Sequence, residues 1–132
     1  MEKKAKILLV DDDIDFVEST KIILESKPYE VIVAYEGDEA LRKAREENPD
    51  LVLLDIIMPV KDGFTAAEQF KKDPQLSKIP VIMLTSYSSR KGETSIPVSR
   101  GLELEVEDYV EKPLSPEDLL SRVGKYLERA DS

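Results

Sequence analysis

The residues of this chain that could do chemistry carry oxygen or charge, and they stand at the ends of short apolar runs. Ile7-Leu8-Leu9-Val10 runs into Asp11-Asp12-Asp13, and Leu51-Val52-Leu53-Leu54 runs into Asp55. Ile79 to Leu84 runs into Thr85, and Asp108-Tyr109-Val110 leads to Lys112. Taken singly, each has an ordinary explanation: a loop hydrogen bond for Asp55, a polar strand end for Thr85, a solvated lysine for Lys112. Asp13 has one as well, since an aspartate ahead of a helix satisfies its first N–H groups and suits its dipole. Capping does not account for three adjacent aspartates, because like charges repel unless something positive lies between them. If Asp11, Asp12 and Asp55 met, the cluster would need a cation. The 132 residues include no cysteine and no histidine, which excludes disulfides, thiolate or imidazole metal sites, and Ser-His-Asp catalysis. An oxygen-only donor set points to a hard ion such as Mg²⁺, which accepts carboxylate, carbonyl and water ligands.

The elements that must position these groups follow a repeating rhythm. Apolar runs with no period-2 alternation read as strands covered on both faces, the mark of a parallel sheet's interior. After Asp13, residues Phe16, Val17, Thr20, Ile23 and Leu24 fall on one face at helical spacing, and Pro28 closes that helix. Tyr29 to Tyr35 carries a β-branched strand. Glu36-Gly37-Asp38 turns the chain, with Asp38 as the expected cap of a helix whose apolar positions are Ala40, Leu41 and Ala44. Asn48-Pro49 ends it. Asp62-Gly63 is a turn, and residues 65–72 form a helix with Phe64, Ala67 and Phe70 as its buried members. Ile79 to Leu84 is the fourth strand, Pro80 being tolerated at its start. Between Ser88 and Gly101 the rhythm asks for a helix, but Gly92, Pro97 and Gly101 make it irregular or shortened. Leu102 to Glu107 alternates as a half-buried strand would, and Asp108 begins the fifth strand. Ser115-Pro116-Glu117-Asp118 is a capping sequence with proline at the first helical position, and Leu119, Leu120, Val123, Tyr126 and Leu127 supply the last helix with its apolar face.

Strands alternating with helices specify an α/β architecture: a five-stranded parallel sheet with helices on both faces, in the order 2-1-3-4-5. Winding outward from the middle sets the carboxyl ends of strands one and three side by side at the switch point, where such sheets bind ligands. The length is that of one domain, residues 1–132 with a core of about 5–128. No apolar run approaches the roughly 20 residues that cross a bilayer, and the short basic start is not a signal peptide. The expected address is therefore cytoplasmic, with no membrane partner. The net charge of −9 argues against direct binding of nucleic acid, which needs a basic surface.

Along nearly its whole length the chain resembles the receiver domain of two-component response regulators. The resemblance rests on Ile7 to Asp13, on Asp55-Ile56-Ile57-Met58-Pro59 with Asp62-Gly63, on Leu84-Thr85-Ser86, and on Asp108-Tyr109-Val110-Glu111-Lys112-Pro113. Four motifs in the right order on a matching rhythm are highly specific, although each is weak by itself. The resemblance implies a flavodoxin-like three-layer sandwich in which Asp55 accepts a phosphoryl group from the phosphohistidine of a sensor histidine kinase or histidine phosphotransfer protein. It also implies that Asp12, Asp55 and the backbone carbonyl of Ile57 bind Mg²⁺, with Asp11 helping through water. Thr85 would bond the attached phosphoryl group, Lys112 would pair with it, and Tyr109 would be an aromatic switch. Such a domain is a phosphoacceptor signalling module that catalyses only its own phosphoryl transfer and dephosphorylation, and it can form a homodimer on phosphorylation.

The chain departs from the family pattern in two places. The stretch from Thr85 to Lys112 is several residues longer than usual, and Glu105-Val106 stands where receivers carry Gly-Ala. The pocket-flanking positions two beyond Asp55 and two beyond Thr85 are Ile57 and Tyr87, both large and neither acidic, which implies restricted water access and a long-lived phosphoryl group. A different class, the Mg²⁺-dependent phosphohydrolases of the haloacid-dehalogenase type, also uses an aspartyl nucleophile after a first strand. Asp11-Asp12-Asp13 fits it superficially, but the glycine soon after the second acid and the later motifs are missing. A receiver-like module that binds partners without phosphorylation is opposed by the complete acid set.

Overall fold

The unbroken apolar runs become interior strands, and each divides its side chains between two cores. In the computed structural model, residues 5–55, 63–85, 108–111 and 115–131 are described. They form β1 (Ala5–Val10), α1 (Ile14–Glu25), β2 (Tyr29–Ala34), α2 (Gly37–Glu47), β3 (Leu51–Asp55), α3 (Gly63–Lys72), β4 (Val81–Thr85), β5 (Asp108–Glu111) and α4 (Pro116–Asp131). The sheet is parallel in the order β2-β1-β3-β4-β5, as the sequence implies. The expected helix over 88–101, the alternating run 102–107, and residues Ile57, Tyr87 and Lys112 lie outside the described residues, as do the Phe64 and Thr85 side chains.

Because side chains alternate along a strand, Leu8, Val10, Val52, Leu54, Val81 and Met83 pack with Ala40, Leu41 and Ala44 of α2 and Ala66, Ala67 and Phe70 of α3. Ile7, Leu9, Leu51, Leu53, Ile82, Leu84 and Val110 face the other way, against Val17 and Leu24 of α1 and Leu119, Val123, Tyr126 and Leu127 of α4. Among the described residues, two helices on each face of the sheet give the three layers. Burying a large aliphatic side chain contributes roughly 1.5–3 kcal/mol, so these two cores hold the sheet edges where the loops need them.

Three local expectations are corrected. The cap of α2 is Glu36, not Asp38: the Glu36 carboxylate accepts from the Glu39 N–H at 2.7 Å, while the Glu39 carboxylate accepts from the Tyr35 N–H at 2.8 Å. This reciprocal pair ties down two N–H groups at the helix start, which Asp38, already inside the first turn, could not do. Helix α1 ends at Glu25 with Ser26 as its cap, ahead of Pro28. β4 begins at Val81, because Pro80 has no N–H for the ladder, although its carbonyl still accepts from the Val52 N–H at 2.9 Å. The expected start of α4 holds: Ser115 Oγ accepts from the Asp118 N–H at 3.3 Å.

Candidate functional site

The register of the central strands decides which side chains meet. β1 and β3 pair with Val10 opposite Leu54, so the next residues on each, Asp11 and Asp55, leave neighbouring strands at the same level. Adjacent strands lie about 4.8 Å apart. Asp11 is fully buried, Asp55 is 3% exposed, and both are flanked by the closed apolar layers of the core. Asp12 stands beside them on the exposed side. One carboxylate oxygen from each of Asp11, Asp12 and Asp55 lies within 4.8 Å of the others.

The three adjacent aspartates have three different tasks. Asp13 caps α1, its Oδ1 accepting from the Phe16 N–H at 3.2 Å. Asp11 Oδ1 accepts from the Asp13 N–H at 2.9 Å, which folds the chain sharply between strand and helix, and the Asp11 N–H donates to the Ala34 carbonyl at 3.2 Å, extending the ladder to β2. Asp12 is thereby presented at the mouth while Asp11 is pinned inside it. The sequence shows the triplet but not this division, which comes from a turn in which a side chain bonds the backbone two residues on.

The donor chemistry fits a divalent cation. Each pair of ionised carboxylates at 4.8 Å repels by about 3 kcal/mol at an effective dielectric near 20, and a hard ion with retained waters relieves that repulsion with oxygen ligands alone. Two of the other expected participants, Thr85 and Tyr109, are placed by register. Asp55 pairs with Leu84 on β4, so Thr85 stands one residue further along the neighbouring strand, opposite Glu111 of β5. Tyr109 lies on the edge strand opposite Met83, 39% exposed, with its phenol pushed above the ordinary tyrosine range by partial burial. Its N–H donates to Asp108 Oδ1 at 2.8 Å.

Sequence reasoning missed what anchors Tyr109 from behind. Asp108 Oδ2 accepts from Arg122 Nη1 at 2.7 Å and from the Tyr126 hydroxyl at 3.2 Å, and Arg122 Nε reaches Asp118 at 3.0 Å. These two carboxylates hold the Arg122 guanidinium above even its usual high range. The strand that carries Tyr109 is thus bolted to α4. A carboxylate opening β5 and an arginine in the fourth residue after a helical aspartate were the available signals.

A family model, the response regulator receiver domain, matches residues 7–124. The alkaline phosphatase synthesis transcriptional regulatory protein PhoP of Bacillus subtilis is 40% identical over 126 residues, covering 96% of this chain and 50% of PhoP. Among solved structures, a CheY-like response regulator receiver domain protein from Methanospirillum hungatei has a TM-score of 0.86 at 32% identity, with 98% of each chain covered. The signal receiver domain of a signal transduction histidine kinase from Syntrophus aciditrophicus has a TM-score of 0.82 at 35% identity, covering 94% of this chain and 90% of that one. The chain spans about half the length of the curated relatives it matches. Among the described residues, no helix is long and apolar enough to cross a membrane.

Proposed function

The chain belongs to the response regulator receiver domain family, whose general function is phosphorylation-driven switching in two-component signalling, and from that premise we propose that Asp55 is its phosphoacceptor. The donor in this reading is the phosphohistidine of a sensor histidine kinase or histidine phosphotransfer protein. With no histidine in its 132 residues, the chain does not supply that group itself. The observation that carries the reading is the convergence of Asp11, Asp12 and Asp55.

In the transfer, an Asp55 carboxylate oxygen attacks phosphorus, the P–N bond to the imidazole breaks, and the leaving imidazole keeps the bonding electron pair. An anionic nucleophile approaching an anionic phosphoryl group is repelled, so charge must be cancelled around it. Asp11, Asp12, Asp55 and the Ile57 carbonyl are the residues that would hold Mg²⁺. When bound, the ion supplies charge neutralisation at the phosphoryl oxygens. Lys112 contributes a second positive charge to the same oxygens, and Thr85 donates its hydroxyl to the phosphoryl group once it has arrived. That bond exists in only one of the two states, so it biases a conformational equilibrium that Tyr109, on β5, reports outward.

The whole chain, residues 1–132, acts in this reading as one receiver domain, a phosphoacceptor module and not an enzyme with turnover on other substrates. Its cytoplasmic placement and its control of a partner or output domain belong to the same reading. PhoP, about twice as long, is named a transcriptional regulatory protein; the acidic receiver itself is assigned no direct contact with nucleic acid. The test is incubation with Mg²⁺ and a small-molecule acyl phosphate. The expected product carries one hydroxylamine-labile phosphate per chain, absent in Asp55→Asn. Labelling that survives Asp55→Asn, or turnover of many donors without a labelled protein, contradicts the reading.

A further inference from the structure

Among the described residues β2 is one edge of the sheet, and Tyr29-Glu30-Val31-Ile32-Val33-Ala34 is β-branched and only partly buried over Val31, Ile32 and Val33. A strand of this composition at an edge is a template for another strand. The Asp11 N–H donates to the Ala34 carbonyl, so residue 34 directs its backbone groups inward to β1. By the alternation of strand residues, 31, 33 and 35 direct theirs outward.

Two of those outward groups are covered from α2. Glu39 Oε1 accepts from the Tyr35 N–H at 2.8 Å, and Lys43 Nζ donates to the Val33 carbonyl. The two side chains, one helical turn apart, are themselves paired at 3.1 Å, with side-chain exposures of 25% and 29%. An i,i+4 ion pair at a helix surface contributes only about 0.3–0.5 kcal/mol to the fold, so its placement over the strand matters more than its own strength.

We propose that the Glu39–Lys43 pair is a latch over the outer edge of β2, and that opening it exposes a pairing surface for the β2 of a second copy of this chain. The occupant follows from self-complementarity. With Ile32 on a twofold axis, Val31 of each copy lies opposite Val33 of the other, and each such pair exchanges two backbone hydrogen bonds. The same register sets Tyr35 opposite Tyr29, so it uses the two groups that the latch covers, the Val33 carbonyl and the Tyr35 N–H. It also sets Glu30 opposite Ala34, so no like charges face each other. The two five-stranded sheets then continue as one, by an interface separate from the site at Asp55.

The experiment is sedimentation equilibrium of the full chain over a wide concentration range, with circular dichroism as the check on folding. The wild-type chain is expected to be monomeric, and Glu39→Met with Lys43→Met is expected to show a concentration-dependent doubling of mass. Adding Val31→Pro removes an outward N–H that the pairing needs while an edge strand tolerates the ring, and is expected to restore the monomer. The single variant Lys43→Met, which leaves Glu39 on Tyr35, gives a weaker association and serves if the double variant does not fold. Unlatched variants that remain monomeric throughout, or a dimer that persists with Val31→Pro, overturn the proposal.

Discussion

The two rims of the sheet handle acidic side chains in opposite ways. At the amino-terminal rim, acids are matched to donors: Asp50 Oδ2 accepts from the Lys6 N–H at 2.7 Å, Glu47 meets Lys6 Nζ at 3.4 Å, and Asp108 meets Arg122 and Tyr126. At the carboxyl-terminal rim, Asp11, Asp12 and Asp55 are gathered against one another within 4.8 Å, two of them buried. In the proposed function the difference has a use: one rim closes the structure, and the other gathers charge that a cation and a phosphoryl group would exploit.

Replacing an acid by its amide should therefore have opposite signs at the two rims. Asp108→Asn removes the charged acceptor of Arg122 and Tyr126 and is expected to cost about 1–2 kcal/mol. Asp55→Asn removes one of three mutually repelling charges and is expected to stabilise the Mg²⁺-free chain by about 1–2 kcal/mol. Thermal unfolding in chelator checks both, as melting shifts of a few degrees in opposite directions. A fall in both would break the contrast.

Much of this contrast is legible in the sequence, but unevenly. The carboxyl rim can be read because the apolar runs Ile7 to Val10 and Leu51 to Leu54 end abruptly in acid, and because winding outward from the middle makes β1 and β3 neighbours. The amino rim cannot. Lys6 and Asp50 are 44 residues apart, and Asp108 and Arg122 are 14 apart; partly exposed charges carry no periodic signal that would join them. The cap of α2 was hidden for a related reason. Glu36 is a weaker capping type than Asp38, and it prevails because Glu39 simultaneously holds Tyr35, a reciprocal arrangement that residue preference does not record.

Smaller effects sharpen the comparison. Ile57→Asn, which replaces the large apolar residue two positions beyond Asp55 by a group able to orient water, is expected to shorten the phosphoryl half-life several-fold, well short of the roughly 10²–10⁴ that a positioned proton-transfer group supplies; an unchanged rate of phosphate loss would refute restricted water access. Glu39 is a further acid near the carboxyl rim, held between a backbone N–H and a lysine. The Tyr35 N–H first, and then Lys43, hold its carboxyl below the usual glutamate range. Its stabilising contribution is complete above the unfolded value of about 4.3 and is lost as pH falls through the lower folded value. Urea midpoints should accordingly fall more steeply with acid for the wild type than for Glu39→Gln. Equal slopes would remove Glu39 from the paired group. The smallest expected effect is Gly124→Ala, in the middle of α4, where a new Cβ meets only the Tyr29 hydroxyl at 3.9 Å; a gain of about 0.5–1 kcal/mol is expected from helix propensity, measured as a higher urea midpoint.

The central claim is that the acids at the carboxyl rim form one cation site, and a calorimetric titration with Mg²⁺ addresses it directly. One ion per chain is expected. Asp11→Asn and Asp12→Asn should each weaken it about tenfold or more, which is about 1.4 kcal/mol, while Asp13→Asn, whose amide oxygen still caps α1, should leave it unchanged. A wild-type chain that takes up no Mg²⁺, or an Asp13→Asn variant as impaired as Asp12→Asn, would contradict the account.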